Sequence, residues 1–138
     1  MIQNYFIYII ITAWLIALIV KIFSTSLTLK KFSSKDILKN GGMPSFHITT
    51  ISVVTMGILI VQGLSELFFL ALAISIIISI DAITTRKNIE VQGKELNKLL
   101  KKPIKIQQGH TISEVLIGMM IGVGSALVHG FIMGFLSF

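Results

Sequence analysis

A chain of 138 residues has the length of one domain, but 54% hydrophobic and 13% charged content with a mean hydropathy of +0.89 lies outside the range of water-soluble globular domains and marks a membrane protein. Zero cysteines exclude disulfides, thiolate catalysis and cysteine-rich metal sites. The net charge of +6 comes without a basic face interleaved with aromatics, which argues against a nucleic-acid partner and for anionic lipid headgroups.

The first apolar run, from Tyr5 through Phe23 with Lys21 near its end, is long enough to span a bilayer. No basic segment precedes it and no small-x-small cleavage site follows, so it reads as a span over about 5–23 and not as a signal peptide. A connection over 24–44 carries Lys30, Lys31, Lys35 and Lys39. The second span covers about 45–62; after the tight turn Gln62-Gly63-Leu64-Ser65-Glu66, the third covers 66–83. Within the second connection, 84–110, Ile89, Leu96, Leu99 and Leu100 recur at helical spacing with lysines on the other faces. This pattern predicts an interfacial helix over 86–101 that ends before Pro103, with Gly93 as its weak point and a solvated loop as the alternative. The fourth span covers about 111–136, where Gly118-x3-Gly122 and Gly130-x3-Gly134 permit close approach to the second helix or, in a homodimer, to another protomer. Eleven of the twelve basic residues lie in the two connections, so the positive-inside rule puts both in the cytoplasm and both termini outside. The expectation is a single membrane domain over 1–138, an all-α integral bundle of four transmembrane helices with a cytoplasmic interfacial amphipathic helix, in a cytoplasmic membrane of bacterial type.

Three polar clusters fall on one face of this bundle: GGMPSFH entering the second span, Asp81 to Lys87 leaving the third, and GHTISE entering the fourth. Polar groups at one depth on adjacent helix ends can form a single site. In the first cluster Gly41 and Gly42 allow positive φ, Pro44 suits a first helical turn, and the helix start offers backbone N–H groups to an anion. Ser45 can cap that helix or donate to an oxyanion, and His47 sits on its first turn, although a plain helix start looks similar. In the last cluster His110 and Glu114 share a face if both are helical, so that the carboxylate can orient the imidazole. Thr111-Ile112-Ser113-Glu114 also reads as a T-x-x-E capping box. The middle cluster holds Asp81, costly at membrane depth without a partner, then Arg86, the only arginine, whose planar fork suits a phosphate, and Lys87. Together these residues point to phosphoryl chemistry. The chain has no excess of carboxylates to hold a metal, so metal-free transfer through histidine is its natural form, with no cofactor. His129 lies about 28 Å along the fourth helix from His110 and belongs to the other face.

Gly41-Gly42-Met43-Pro44-Ser45 with His47, Asp81-Ala82 with Arg86-Lys87 and Leu96-Asn97, and Gly109-His110-Thr111 with Glu114-Val115 and Gly118 resemble the divergent branch of the type 2 phosphatidic acid phosphatase superfamily. That superfamily also contains vanadium-dependent haloperoxidases. The resemblance runs from about Trp14 to Gly122. It implies a phosphohistidine mechanism in which His110 attacks phosphorus, Glu114 orients it and His47 protonates the leaving alcohol. Gly42, Ser45, Arg86 and Lys87 would hold the phosphate, with Asp81, Asn97, Gly109 and Thr111 in support. Two departures stand out. Phe46 occupies a position where the parent superfamily has glycine and the divergent branch usually serine. The parent's first motif, a lysine followed later by Arg-Pro, is absent, which leaves Lys35, Lys39 or Lys105 as point charges available to replace it.

The expected protein is thus a membrane phosphatase-like hydrolase of a phosphomonoester or pyrophosphate, carried on a lipid, with its site on the cytoplasmic face. The alternative is a non-catalytic membrane protein that binds or translocates phosphorylated lipids.

Overall fold

The computed structural model describes residues 2–29, 42–106 and 108–135, and these form five helices: α1 (Ile2–Leu29), α2 (Phe46–Gln62), α3 (Glu66–Ile83), α4 (Thr85–Leu99) and α5 (Ile112–Ile132). Gly41, Lys30, Lys31, Lys35, Lys39 and the expected end of the fourth span at 136 lie outside the described residues. On α1, Tyr5, Ile9, Ala13, Ala17 and Lys21 form an i, i+4 row that is buried, while Ile7, Leu15, Ile19 and Phe23 are exposed. Apolar side chains turned outward in this way are what a hydrocarbon solvent requires. The Asn4–Ser26, Glu66–Leu99 and Ile112–Ile132 stretches each contain a helix long and apolar enough to cross a membrane. The protein is an all-α integral membrane bundle.

The shortest of the apolar helices, α2, has 17 residues and so a length of about 26 Å. It is also the centre of the bundle, because α1, α3 and α5 all pack on it. Without a hydrophobic drive inside lipid, this packing depends on close backbone approach and on hydroxyl bonds. Gly118 and Gly122 supply the first: a Cβ on either would stand 2.8 Å from the Ser45 carbonyl oxygen or 2.6 Å from that of Thr49. The glycine pair of the last helix therefore faces the second helix of the same chain. Thr55 and Ser75 supply the second, with their hydroxyl oxygens 2.8 Å apart between α2 and α3. At the far end, the Tyr5 hydroxyl donates to the Ala126 carbonyl at 2.9 Å and joins α1 to α5.

Two boundaries differ from those expected. α1 continues to Leu29, past residue 23; within it the Ser24 hydroxyl lies 2.8 Å from the Met43 carbonyl and 3.1 Å from that of Lys21. The interfacial helix is present as Thr85–Leu99, separated from α3 by Thr84 alone. Its Ile89, Leu96 and Leu99 are exposed whereas Glu90 is buried, the reverse of a water-soluble amphipathic helix and the arrangement of one lying on a membrane surface. Gly93 does not weaken it: Ile106 of the returning chain packs there, within 3.1 Å of where a Cβ would be.

Candidate functional site

The three polar clusters meet through their backbones. His110 N–H donates to the Ala82 carbonyl at 3.1 Å, and Ser45 N–H donates to the Glu114 carbonyl at 3.3 Å. The end of α3, the start of α2 and the start of α5 are thereby locked together, at the end of the bundle that also holds Lys21.

His110 stands just before α5, whose N-cap is Thr111. The helical-face condition on the His110–Glu114 pair is therefore not met, yet the contact forms. Glu114 reaches back in a capping box, and its Oε2 both accepts from the Thr111 N–H at 3.0 Å and lies 3.0 Å from His110 Nδ1. One carboxylate oxygen serves the cap and the imidazole at once. A carboxylate at Nδ1 favours the tautomer with the proton there, which leaves a lone pair on Nε2. The His110 side chain is only 8% exposed, so its ring orientation is strongly constrained.

What holds the loop before His110 is a residue absent from the sequence-derived set. Glu90, on α4, is buried and accepts from Lys87 at 3.0 Å, from Lys94 and from the Gly109 N–H at 3.1 Å. The Lys94 bond first, then Lys87 and the Gly109 N–H, hold its carboxyl down to about 2 against the upward push of burial. Along the same face of α4 the Asn97 side chain takes both backbone groups of Ile104, at 2.8 and 3.0 Å. Gly109 itself crosses α4 so closely that a Cβ would lie 2.5 Å from the Lys87 nitrogen. Asn97, Gly109 and Lys87 thus position the His110 loop, and Lys87 is engaged by Glu90.

Arg86 Nε donates to Asp81 Oδ2 at 2.6 Å, both side chains being more than a third exposed. This bond uses one of the five guanidinium N–H groups. Ser45 is fully buried at the N-cap of α2, its hydroxyl making no cap bond and having no partner among the described residues. Gly42 adopts φ +79° in open space, the left-handed conformation its residue type favours. His47 is exposed on the first turn of α2, within electrostatic reach of Arg86, His110 and Lys21. Lys21 is the second residue that the sequence reading left aside. It is buried, its charge is felt by Glu114's, and its ammonium lies 5.3 Å from the centre of the Phe46 ring, a cation–π distance. Among the described residues no three His, Asp or Glu side chains group as metal ligands do.

The family model of the Divergent PAP2 family matches residues 2–125. The chain belongs to this family. At that level the divergent PAP2 protein is a phosphatase-like membrane protein. Neither a curated protein nor a solved structure matches it. Within its fold, Lys21 continues the buried row Tyr5, Ile9, Ala13, Ala17, and Glu90 lies three and four residues from the lysines it binds. The spacing to Lys87 and Lys94 was the sequence signal for Glu90.

Proposed function

We propose that the protein hydrolyses a phosphate monoester or pyrophosphate of a lipid through a phosphohistidine. The observation that carries this reading is His110 Nδ1 held 3.0 Å from the Glu114 carboxylate, in a site where Arg86 and Lys21 lie within electrostatic reach of His47; we read these as an oriented nucleophile, cations for the phosphate charge and a candidate acid. The Nε2 lone pair of His110 attacks phosphorus, a P–N bond forms as the ester P–O bond breaks, and protonated His47 gives its proton to the departing alkoxide. Water then attacks the phosphohistidine and passes a proton to His47; the P–N bond breaks, phosphate leaves and both histidines are restored. Lys21 and Arg86 neutralise the phosphate oxygens, with the α2 start beside them. In the orientation that the lysine distribution favours, the substrate lies in the cytoplasmic leaflet.

Purified protein should release phosphate from lipid phosphates in a vanadate-sensitive way. His110→Ala should lower kcat by at least about 10³-fold, and unchanged release in that variant would refute the mechanism. His47→Ala should cost about 10²–10⁴-fold with an alkyl leaving group and far less with a nitrophenolate, which needs no acid. The 8% exposure of the His110 side chain favours a second reading, non-catalytic binding of phosphorylated lipids. Trapping of a phosphorylated His110 would decide against it.

A further inference from the structure

We propose that the turn closing α4, Leu99 to Lys105, docks on the bilayer surface around the protein, with its lysines on anionic lipid headgroups and its apolar side chains among them. The charges at this end of the chain do not balance. Of the six acidic residues, Asp81 holds Arg86, Glu90 holds Lys87 and Lys94, Glu95 holds Lys98, and Glu114 holds His110. Glu66 starts α3, at the end of that helix remote from α4, and Asp36 lies outside the described residues. Lys101, Lys102 and Lys105 are exposed and, among the described residues, pair with no carboxylate. Three uncompensated ammonium groups thus stand within one short turn.

The turn is tied down. The Asn97 side chain accepts from the Ile104 N–H at 2.8 Å and donates to the Ile104 carbonyl at 3.0 Å, which closes the chain on the end of α4. Leu99 is 83% exposed, and Leu96, Leu100 and Ile104 are exposed with it, a cost in water that an apolar partner removes. An acidic protein or a nucleic acid would answer the lysines, but the position of the turn favours lipid. α4 starts one residue after the membrane helix α3, and its exposed apolar residues run from Ile89 and Val91 to Leu99, most of its length. A bilayer meets that whole length and is already within reach. Lysine stems lie along apolar surface while their ammonium groups extend to headgroup phosphates, and each lysine near an anionic surface strengthens binding about fivefold. Docking needs no chemistry at His110, so it holds whether or not the protein hydrolyses phosphate.

The chain has no cysteine, so Leu99→Cys carries a single nitroxide label. With the full-length protein in nanodiscs of phosphatidylcholine and about a third phosphatidylglycerol, that label should be open to oxygen and closed to a polar nickel chelate, as a group among acyl chains is. In phosphatidylcholine alone, or at about 1 M salt, where the Debye length falls to about 3 Å, it should become accessible to the chelate. The triple variant Lys101→Gln, Lys102→Gln, Lys105→Gln should lower the docked-to-free ratio about 10²-fold in anionic discs, with circular dichroism unchanged. Ile104→Cys, labelled in the same way, should follow Leu99→Cys, which separates docking of the turn from a disturbance by one label. Chelate access in both compositions would overturn the proposal. So would a label closed to the chelate in both and indifferent to the lysines, since the leucines alone would then be held. A label closed to oxygen and chelate alike would mark a protein contact, a second copy included, and would equally overturn it.

Discussion

Lys21 shows how a single buried charge alters the reading of its neighbours. In lipid an ammonium is costly unless an anion or a π face receives it, and here Phe46 lies beside it while Glu114 acts on it. In the proposed mechanism Lys21, contributed by the first helix, supplies the charge that the absent first motif of the parent superfamily would bring. Lys21→Met should reduce phosphate release by about 10²-fold through kcat, the usual loss when one preorganised charge is removed from a transition state. Lys21→Arg should not restore it fully, because a planar fork does not replace a compact point charge. Unaltered kcat in Lys21→Met would remove the residue from the phosphate site. The three clusters were legible in the chain because glycine, histidine and capping patterns are local. Lys21 was not singled out because a lone lysine at the end of an apolar run looks like an interfacial anchor, and only packing on α2 distinguishes the two.

At the scale of the element, α4 is less an anchor than a splint. Its face of Glu90, Gly93 and Asn97 takes the returning chain at 109, 106 and 104 in turn, and so delivers His110 to the end of α3. The amphipathic pattern announced a helix on the membrane surface. It could not announce the splint, since that depends on a loop of no regular structure lying antiparallel along it. Gly109→Ala would drive a methyl against the backbone of Lys87 and should abolish activity while the transmembrane helices remain folded, as read by circular dichroism alongside phosphate release. The Glu90 clamp also has a defined pH dependence. Its carboxyl is held near 2 against an ordinary value of 4.5, so the stabilisation is complete above about 4.5 and is lost as pH falls toward 2. Protection of the Gly109 amide from hydrogen exchange, relative to an unstructured amide at the same pH, should fall across that acid window in the wild type. In Glu90→Gln it should be absent already at pH 7, with no such dependence; a protected amide in that variant would show that the carboxylate is not the clamp.

For the molecule as a whole, the decisive contact is α5 against α2. A side chain at Gly122 would meet the Thr49 carbonyl and the Val53 nitrogen, 2.6 and 2.8 Å from its Cβ, and neither backbone atom can yield. Gly122→Val should destabilise the bundle by about 1–3 kcal/mol and lower its unfolding midpoint in detergent, whereas Gly124→Val, open on every side, should not. The glycine spacing was visible in the sequence, but its partner was not, since the same pattern serves equally between chains. The Ser45 to Glu114 and Ala82 to His110 bonds have a consequence for biosynthesis. Every one of them joins a residue of the first three membrane helices to a residue at the entrance of the last. A nascent chain that has inserted α1 through α3 already carries His47 and Asp81, but it has no His110 and nothing to close the backbone bridges. The proposed site is closed in one step, with the final insertion, so a chain cut short before α5 should reach the membrane without it.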